Sequence, residues 1–225
     1  MNELLWLAFA LVNFILIVVV YKFFGKTGLI AWIAMGTVLA NIQVTKTIEI
    51  FTLTATLGNI MYGSLFLITD TLNEKYGLQE AKKAVYIGFT SLIAMVIIMN
   101  MVLWFTPHAD DFAHGALQTI FGLMPRIAIG SLTAYLISQI LDVYLFQKIK
   151  EKFSSDKTLY VRNIGSTMVS QFIDTLIFVP IAFIGIHDTK ILISIFITTY
   201  LVKLIVAMLD TPFVYLMKRI TPLAK

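Results

Sequence analysis

The sequence has no cysteine and few charged residues. With no cysteine among 225 residues, disulfide scaffolds, iron–sulfur clusters and thiolate zinc sites are excluded. Charged residues make up 13% of the chain and hydrophobic residues 59%, whereas a soluble domain carries about 25% charged residues. The mean hydropathy is +0.87. Such a chain cannot cover its surface with water-compatible side chains, so its main solvent must be lipid.

Signatures of catalysis are also missing. The chain contains no P-loop and no Gly-x-Ser-x-Gly motif. Its three histidines, His108, His114 and His187, lie in loops without the spacing of metal ligands. An intramembrane hydrolase would need a base positioned beside Ser138 or Ser170, and the sequence offers no clear candidate. We therefore expect no enzymatic activity, no metal and no cofactor.

Long apolar segments dominate the chain. A helix needs about 20 mostly apolar residues to cross the hydrocarbon. Seven segments qualify, which predicts an all-α integral membrane protein with about seven transmembrane helices, or six if one segment within 28–73 is re-entrant. No linker interrupts residues 1–225, so we predict a single polytopic transmembrane domain and interpret the first segment as a retained helix. The predicted spans are 4–24, 28–48, 56–73, 83–105, 120–147, 163–186 and 190–217.

The basic residues predict the orientation. With the N-terminus outside and the C-terminus in the cytoplasm, all but four of the 17 lysines and arginines are cytoplasmic, as the positive-inside rule requires. Of the four, Lys46 and Lys190 would be outside, and Arg126 and Lys203 within spans. The net charge of +4 is thus a topology signal, and we expect no nucleic-acid partner. The predicted location is the inner (cytoplasmic) membrane.

One segment, residues 41–59, is too polar for a lipid-facing helix. It contains Asn41, Gln43, Lys46 and Glu49, followed by threonine at alternate positions. Alternating β-branched residues favour extended backbone, which at membrane depth survives only against protein or a wet cavity. We therefore predict an interrupted segment whose polar side chains line a substrate cavity. A re-entrant segment, a broken helix and a plain extracellular turn with a solvated Lys46–Glu49 pair remain open.

A repeated motif holds the strongest internal signal. Ser-Gln-x-x-Asp occurs at 138–142 and again at 170–174, after 32 residues. Each copy places Ser and Asp on one helical face. A charged side chain at a helix centre costs roughly 2.5–3.5 kcal/mol, so Asp142 and Asp174, with Gln139 and Gln171, are candidate binding residues. We predict that the two aspartates converge on one cavity between neighbouring helices. Each alone could instead hold two helices together.

Other charged residues lie inside the predicted spans. Asp70 ends the third span, Arg126 lies in the fifth, and Lys203 and Asp210 share a face of the last. Either Arg126 or Asp70 could be purely structural. Including Lys46 and Glu49, the embedded side chains carry two more negative than positive charges. Protons, a cation or a ligand rich in hydrogen-bond donors must offset this surplus.

Several motifs together resemble a known family. They are Asn-Ile-Gln-Val-Thr-Lys-Thr at 41–47, Leu-Ile-Thr-Asp-Thr-Leu-Asn-Glu-Lys-Tyr-Gly at 67–77, the doubled Ser-Gln-x-x-Asp, and Asp-Thr-Pro at 210–212. The chain resembles the queuosine precursor transporters, first described as vitamin uptake proteins. One departure is Thr52 after Phe51, where the family pattern suggests glycine.

The resemblance implies uptake of 7-deazaguanines, namely the nitrile preQ0 and the aminomethyl compound preQ1. A carboxylate can accept the two adjacent donors of a guanine-like edge, while Phe51, Tyr62, Phe66 or Phe178 could stack on the flat ring. The small base and the lipid bilayer are the expected partners, and a homo-oligomer is left open. An alternative function is that of a substrate-binding membrane subunit that needs a separate ATPase. Together the candidate substrate-binding residues are Asn41, Gln43, Lys46, Glu49, Asp70, Arg126, Gln139, Asp142, Gln171, Asp174, Lys203 and Asp210.

Overall fold

The computed structural model describes residues 1–152 and 159–223, and these are mostly helical. The long hydrophobic runs form helices because a helix satisfies every backbone hydrogen bond within one segment. A single two-stranded hairpin interrupts them in the described residues. In chain order the elements are α1 (Asn2–Gln43), β1 (Thr47–Ile50), β2 (Leu53–Thr56), α2 (Gly58–Tyr76), α3 (Leu78–Leu103), α4 (His114–Phe121), α5 (Met124–Lys152), α6 (Leu159–Phe183) and α7 (Thr189–Arg219).

Helix α1 is broken near its middle. Its 42 residues would extend to about 63 Å if straight, twice the hydrocarbon thickness. Gly25 has φ 55° and ψ −139°, a backbone conformation that residues with a Cβ rarely adopt. The first two predicted spans fall on the two halves, but the second half ends at Gln43 and not at residue 48.

The polar segment after α1 forms an antiparallel hairpin. Thr47 pairs with Thr56 and Ile50 with Leu53. Of the alternating threonines, Thr54 and Thr56 occupy extended backbone, as predicted, and Thr52 lies in the turn. The two turn residues, Phe51 and Thr52, have φ values of 47° and 66°. A two-residue hairpin turn often needs this left-handed backbone at both positions, and glycine adopts it without strain. The family's expected glycine at position 52 is thereby explained.

Helix α2 lies inside the bundle. It packs against α1, α3 and α7, and it carries polar residues on most turns. In the described part of the chain, five helical segments are long and apolar enough to cross a membrane, and α2 is not one of them. Its neighbours bury the polar side chains of Asn59, Ser64 and Thr71. The count of seven spans, a re-entrant segment, the single domain and the orientation all stay predictions.

Two apolar clusters make up the core. One joins α1, α2 and the second half of α7, and includes Phe14, Leu67 and Val206. The other joins α5, α6 and the first half of α7, and includes Met124 and Phe178. Helices α5 and α6 pack closely against each other. Polar side chains that connect the helices of one cluster to those of the other therefore lie in the interior.

The end of the chain is tied to the break in α1. The backbone N–H of Leu223 donates to the Lys22 carbonyl at 2.8 Å, and the Lys22 ammonium donates to the Thr221 carbonyl at 3.1 Å. The Lys75 ammonium donates to the carbonyls of Met217 and Ile220, at 3.0 and 2.6 Å. A cation on the last carbonyls of a helix offsets its dipole. This end of the bundle, the tail end, lies opposite the hairpin.

Candidate functional site

A buried ion pair forms the centre of the candidate site. The Lys203 ammonium of α7 donates to Asp174 Oδ2 of α6, and each residue is about 5% exposed or less. The other carboxylate oxygen, Oδ1, accepts a hydrogen bond from Ser138 Oγ of α5 at 3.2 Å. Three helices thus meet at one carboxylate, which the sequence placed in the repeated motif.

The chain brings these groups together by a short connection. Helices α6 and α7 are consecutive and pack against each other. The Asp188 side chain caps α7 by accepting the Ile191 N–H at 3.0 Å, which fixes the start of that helix. A buried ion pair must overcome a desolvation cost of several kcal/mol per ion. The ion pair therefore contributes little net stability, and both residues are candidates for ligand binding.

Tyr62 of α2 separates this pair from a small cavity. The Lys203 ammonium lies 5.7 Å from the centre of the Tyr62 ring, within the range of a cation–π contact. The cavity measures about 30 Å³, which is room for about one water and too little for a bicyclic base. Its lining residues are Ile33, Thr37, Tyr62, Leu65, Phe66, Thr69, Val85, Phe89 and Tyr135.

The cavity wall is largely aromatic. Phe89 of α3 and Tyr135 of α5 meet edge to face, with ring centres 4.9 Å apart. Tyr62 and Phe66, both on α2, are 6.4 Å apart. Flat faces of this kind suit a planar ligand. Ion pair and aromatic wall together provide hydrogen-bonding groups on one side and stacking surfaces on the other.

A second polar contact borders the cavity near the end of α1. Ser131 Oγ of α5 donates to Asn41 Oδ1 at 2.8 Å, and Asn41 Nδ2 donates to the Thr37 carbonyl at 2.8 Å. Both side chains are buried. Thr37 also lines the cavity, so the predicted site residue Asn41 lies one turn from it.

A third polar cluster lies beside the hairpin. Asn59 Nδ2 is within 3.2 Å of Thr56 Oγ1 and 3.1 Å of Thr199 Oγ1. Thr198 Oγ1 donates to the Thr54 carbonyl at 2.7 Å. These bonds tie the hairpin to α7 one turn before Lys203. The hairpin thus covers one end of the polar interior.

Two predicted glutamines have buried oxygens without a partner. Within the described part of the chain, neither Gln171 Oε1 nor Gln43 Oε1 accepts a hydrogen bond. Gln171 is 4% exposed and lies one turn before Asp174 on α6. A buried unpaired acceptor costs about 1–3 kcal/mol. Gln171 is therefore suited to a ligand N–H.

Several predicted site residues lie elsewhere. Lys46 and Glu49 are exposed at the hairpin, because α1 ends before them. This exposure fits the alternative of a solvated pair, and their role in substrate binding stays a prediction. Arg126 donates through Nε to the Ile181 carbonyl at 2.6 Å and through its terminal nitrogen to the Ile184 carbonyl. It therefore caps the end of α6 and does not face the ion pair.

Four further candidates are outside the cluster or outside the described side chains. Asp210 is buried, two turns beyond Lys203 on α7, and interacts electrostatically with Asp70 of α2. This acidic pair lies between the ion pair and the tail end. The side chains of Gln139 and Asp142 lie outside the described part of the structure. Convergence of Asp142 and Asp174 on one cavity stays a prediction.

Two of the four aromatic residues proposed from the sequence to stack on the ring lie at the cavity, and stacking on a base stays a prediction. Tyr62 and Phe66 line the cavity, whereas Phe51 is 74% exposed at the hairpin turn and Phe178 packs within the apolar core. Sequence reasoning missed Phe89 and Tyr135. Tyr135 could have been found, because it lies three residues before Ser138 and so shares its helical face.

The arrangement suits binding of a neutral polar ring better than metal binding. Among the described residues, no three His, Asp or Glu side chains gather into a metal-binding group. The cluster instead offers a carboxylate and an amide oxygen as acceptors, an ammonium as donor, and aromatic faces. These groups can hold a flat solute by its edge and by its face.

Comparisons with known proteins identify relatives along most of the chain. The family described as "Putative vitamin uptake transporter" matches residues 56–217. A "Probable queuosine precursor transporter" of Bacillus subtilis is 50% identical over 98% of this chain and 96% of its own length. One of Haemophilus influenzae is 31% identical over 59% of this chain and 54% of its own length. The "Queuosine precursor transporter" of Escherichia coli is 27% identical over 64% and 62% respectively. No solved structure matches significantly.

Proposed function

Since this chain belongs to the queuosine precursor transporter family, we propose that it imports the 7-deazaguanines preQ0 and preQ1 across the inner membrane. The base would bind in the centre of the bundle, between the Asp174–Lys203 pair and the aromatic cavity. One observation carries the proposal, namely a buried ion pair that adjoins an aromatic wall through Tyr62.

The chemistry of the base matches these groups. A guanine-type edge presents two adjacent N–H donors beside a carbonyl oxygen. The Asp174 carboxylate can accept both donors, and the Lys203 ammonium can donate to the carbonyl. Gln171 Oε1 would accept a further N–H. The ring would stack on Tyr62, which lines the cavity and contacts Lys203.

Binding requires the site to open. The cavity of about 30 Å³ is far smaller than the roughly 300 Å³ or more of a typical ligand pocket. Each carboxylate oxygen of Asp174 already accepts a bond within the protein. The base would therefore enter by moving Tyr62 and by taking over part of the Lys203–Asp174 contact. Such exchange is expected of a transporter that alternates between closed and open states.

Transport by the purified protein tests the proposal. Protein reconstituted into liposomes should accumulate or equilibrate labelled preQ0 without any partner, and excess guanine-type base should compete. The Asp174→Asn/Lys203→Met double variant, which removes both charges, serves as the control and should not transport. Binding without transport would favour the ATPase-dependent subunit. The absence of both binding and transport would reject a precursor transporter.

A further inference from the structure

We propose that Lys203 makes the site selective for the substituent on the base. A base with a neutral group beside the ring carbonyl is preferred over a base with a cationic amine there. The inference rests on the proposed function, because it assumes that a guanine-type base binds at the Asp174–Lys203 pair. Of the alternatives that the embedded charges left open, it favours a neutral, donor-rich ligand over a cationic one. The pairing of Asp174 with Lys203 in the structure is the reason for this choice.

The first step concerns the charge of the site. Asp174 and Lys203 neutralise each other in a region where both are about 5% exposed. Of the described side chains, Ser138 and Tyr62 contact the pair, and both are uncharged at neutral pH. Lys203 therefore balances the charge of the carboxylate to which the base would bind.

The other carboxylates do not pair with Lys203 in the described structure. Asp210 lies two turns beyond Lys203 on α7 and interacts with Asp70 of α2. The side chain of Asp142, one turn beyond Ser138 on α5, lies outside the described part of the structure.

The second step concerns the orientation of the base. If Asp174 accepts the two adjacent N–H donors, the carbonyl oxygen of the same edge lies next to the Lys203 ammonium. In a 7-substituted 7-deazaguanine, the substituent is on C7, on the same side of the ring system as this carbonyl. It must then also lie close to the ammonium. A nitrile there can accept a hydrogen bond from Lys203, whereas an ammonium group can only repel it.

The third step concerns the size of the effect. Charges interact much more strongly away from water than in it, because the effective dielectric constant is lower. A like-charge contact across a desolvated interface strongly disfavours the wrong partner. We expect the wild-type protein to bind the nitrile compound at least about tenfold more tightly than the aminomethyl compound. Removal of Lys203 should erase this preference.

The experiment measures the affinity ratio of preQ0 to preQ1 for purified protein at pH 7. Wild type should favour preQ0, and Lys203→Arg, which keeps the positive charge, should do the same. Lys203→Met should shift the ratio toward preQ1 by about tenfold or more, because the Asp174 carboxylate then lacks a cation. An unchanged ratio in Lys203→Met would overturn the proposal, as would a wild-type preference for preQ1.

A double variant guards against loss of folding. If Lys203→Met leaves too little folded protein, Asp174→Asn/Lys203→Met removes both charges, and residual binding should show no preference for preQ0. A persisting preference would contradict the role of Lys203. The affinity ratio of the wild-type protein tests the proposal even if no variant folds. If wild type binds neither base, the proposed function fails. If it binds both with equal affinity, only the role of Lys203 fails.

Discussion

Helix α7 carries two lysine–carboxylate pairs that differ mainly in their surroundings. Lys203 pairs with Asp174 inside the bundle, where both side chains are 5% exposed. Lys218 pairs with Glu74 at the tail end, where the side chains are 39% and 46% exposed. The same kind of ion pair, a lysine with a carboxylate, is therefore buried in one place and exposed to solvent in the other. The comparison separates what an ion pair does for stability from what it can do for a ligand.

The difference lies in desolvation. At the tail end, water solvates both ions whether or not they pair, so the pair contributes about 0–1 kcal/mol. Inside the bundle, neither ion has water to replace its partner, and loss of one costs about 3–5 kcal/mol. Replacement of both by neutral residues is often tolerated. Stability alone therefore does not account for the buried pair.

The largest effect is expected from breaking the buried pair one side at a time. Asp174→Asn or Lys203→Met should each lower the free energy of unfolding by about 3–5 kcal/mol, since the remaining charge is buried alone. The double variant should recover most of this loss but stay inactive. Thermal unfolding in detergent and membrane abundance measure the first effect, and precursor uptake measures the second. A double variant as unstable as the singles would break the comparison.

This expectation revises one drawn from the sequence. With Asp174 taken as an isolated buried carboxylate, Asp174→Asn should relieve desolvation and leave folding intact. The structure pairs Asp174 with Lys203, so the same substitution now leaves an ammonium uncompensated. For Asp142, whose side chain lies outside the described structure, we expect Asp142→Asn to give abundant but inactive protein.

A smaller effect is expected at the wall between the pair and the cavity. Tyr62→Leu removes the ring that faces Lys203 and lines the cavity. Stacking of a base on an aromatic side chain contributes roughly 1–3 kcal/mol, so uptake at low precursor concentration should fall at least about fivefold. Tyr62→Phe keeps the ring and should stay within about twofold. Equal losses in both variants would point to the hydroxyl and away from stacking.

Substitution of the unpaired Gln171 should lower uptake without lowering the stability of the fold. Gln171→Met keeps a similar volume and removes an oxygen that has no partner in the described structure. Protein abundance should be unchanged or higher, while uptake should fall about fivefold or more, as for a lost hydrogen bond to ligand. The matched control is Asn13→Leu, which breaks a 2.5 Å bond to Ser64 away from the site. It should reduce stability and leave uptake per folded molecule unchanged.

The smallest effect is expected at the exposed pair. Lys218→Gln should change the free energy of unfolding by less than about 1 kcal/mol, with uptake close to wild type. Its effect should also shrink at high salt, because exposed charges are screened. Unfolding measured at low and high ionic strength checks both points. A loss as large as that of Lys203→Met would show that burial does not distinguish the two pairs.

Sequence reasoning identified the buried groups better than their partners. Asp174 and Lys203 stood out because charge within an apolar run is costly, and Gln171 because of the repeat. Their pairing could not be predicted, because it depends on how α6 and α7 turn against each other. The predicted span 28–48 extends past the end of α1, because α1 ends at Gln43 without a proline or glycine to mark it.

Local backbone was more predictable than the count of spans. Alternating threonines predicted the extended residues of the hairpin, since period two fits a strand. Helix α2 was harder to assign, because its polar residues face protein and its apolar content is low for a lipid-exposed helix. Phe89 of the cavity wall gave no local signal, since its neighbours in space come from α5. Contacts between distant helices are set by packing, which one sequence does not encode in any local pattern.

The most direct measurement is a binding titration of the purified protein with preQ0, guanine and adenine. The account predicts that wild type binds preQ0 and guanine, because both present the donor pair that Asp174 accepts. Adenine lacks that pair and should bind at least about tenfold more weakly. The Asp174→Asn/Lys203→Met variant, once thermal unfolding shows that it is folded, should bind preQ0 and guanine at least about tenfold more weakly than wild type does. Wild-type affinity for adenine equal to that for guanine, or full preQ0 binding by the double variant, would contradict a base site at Asp174 and Lys203.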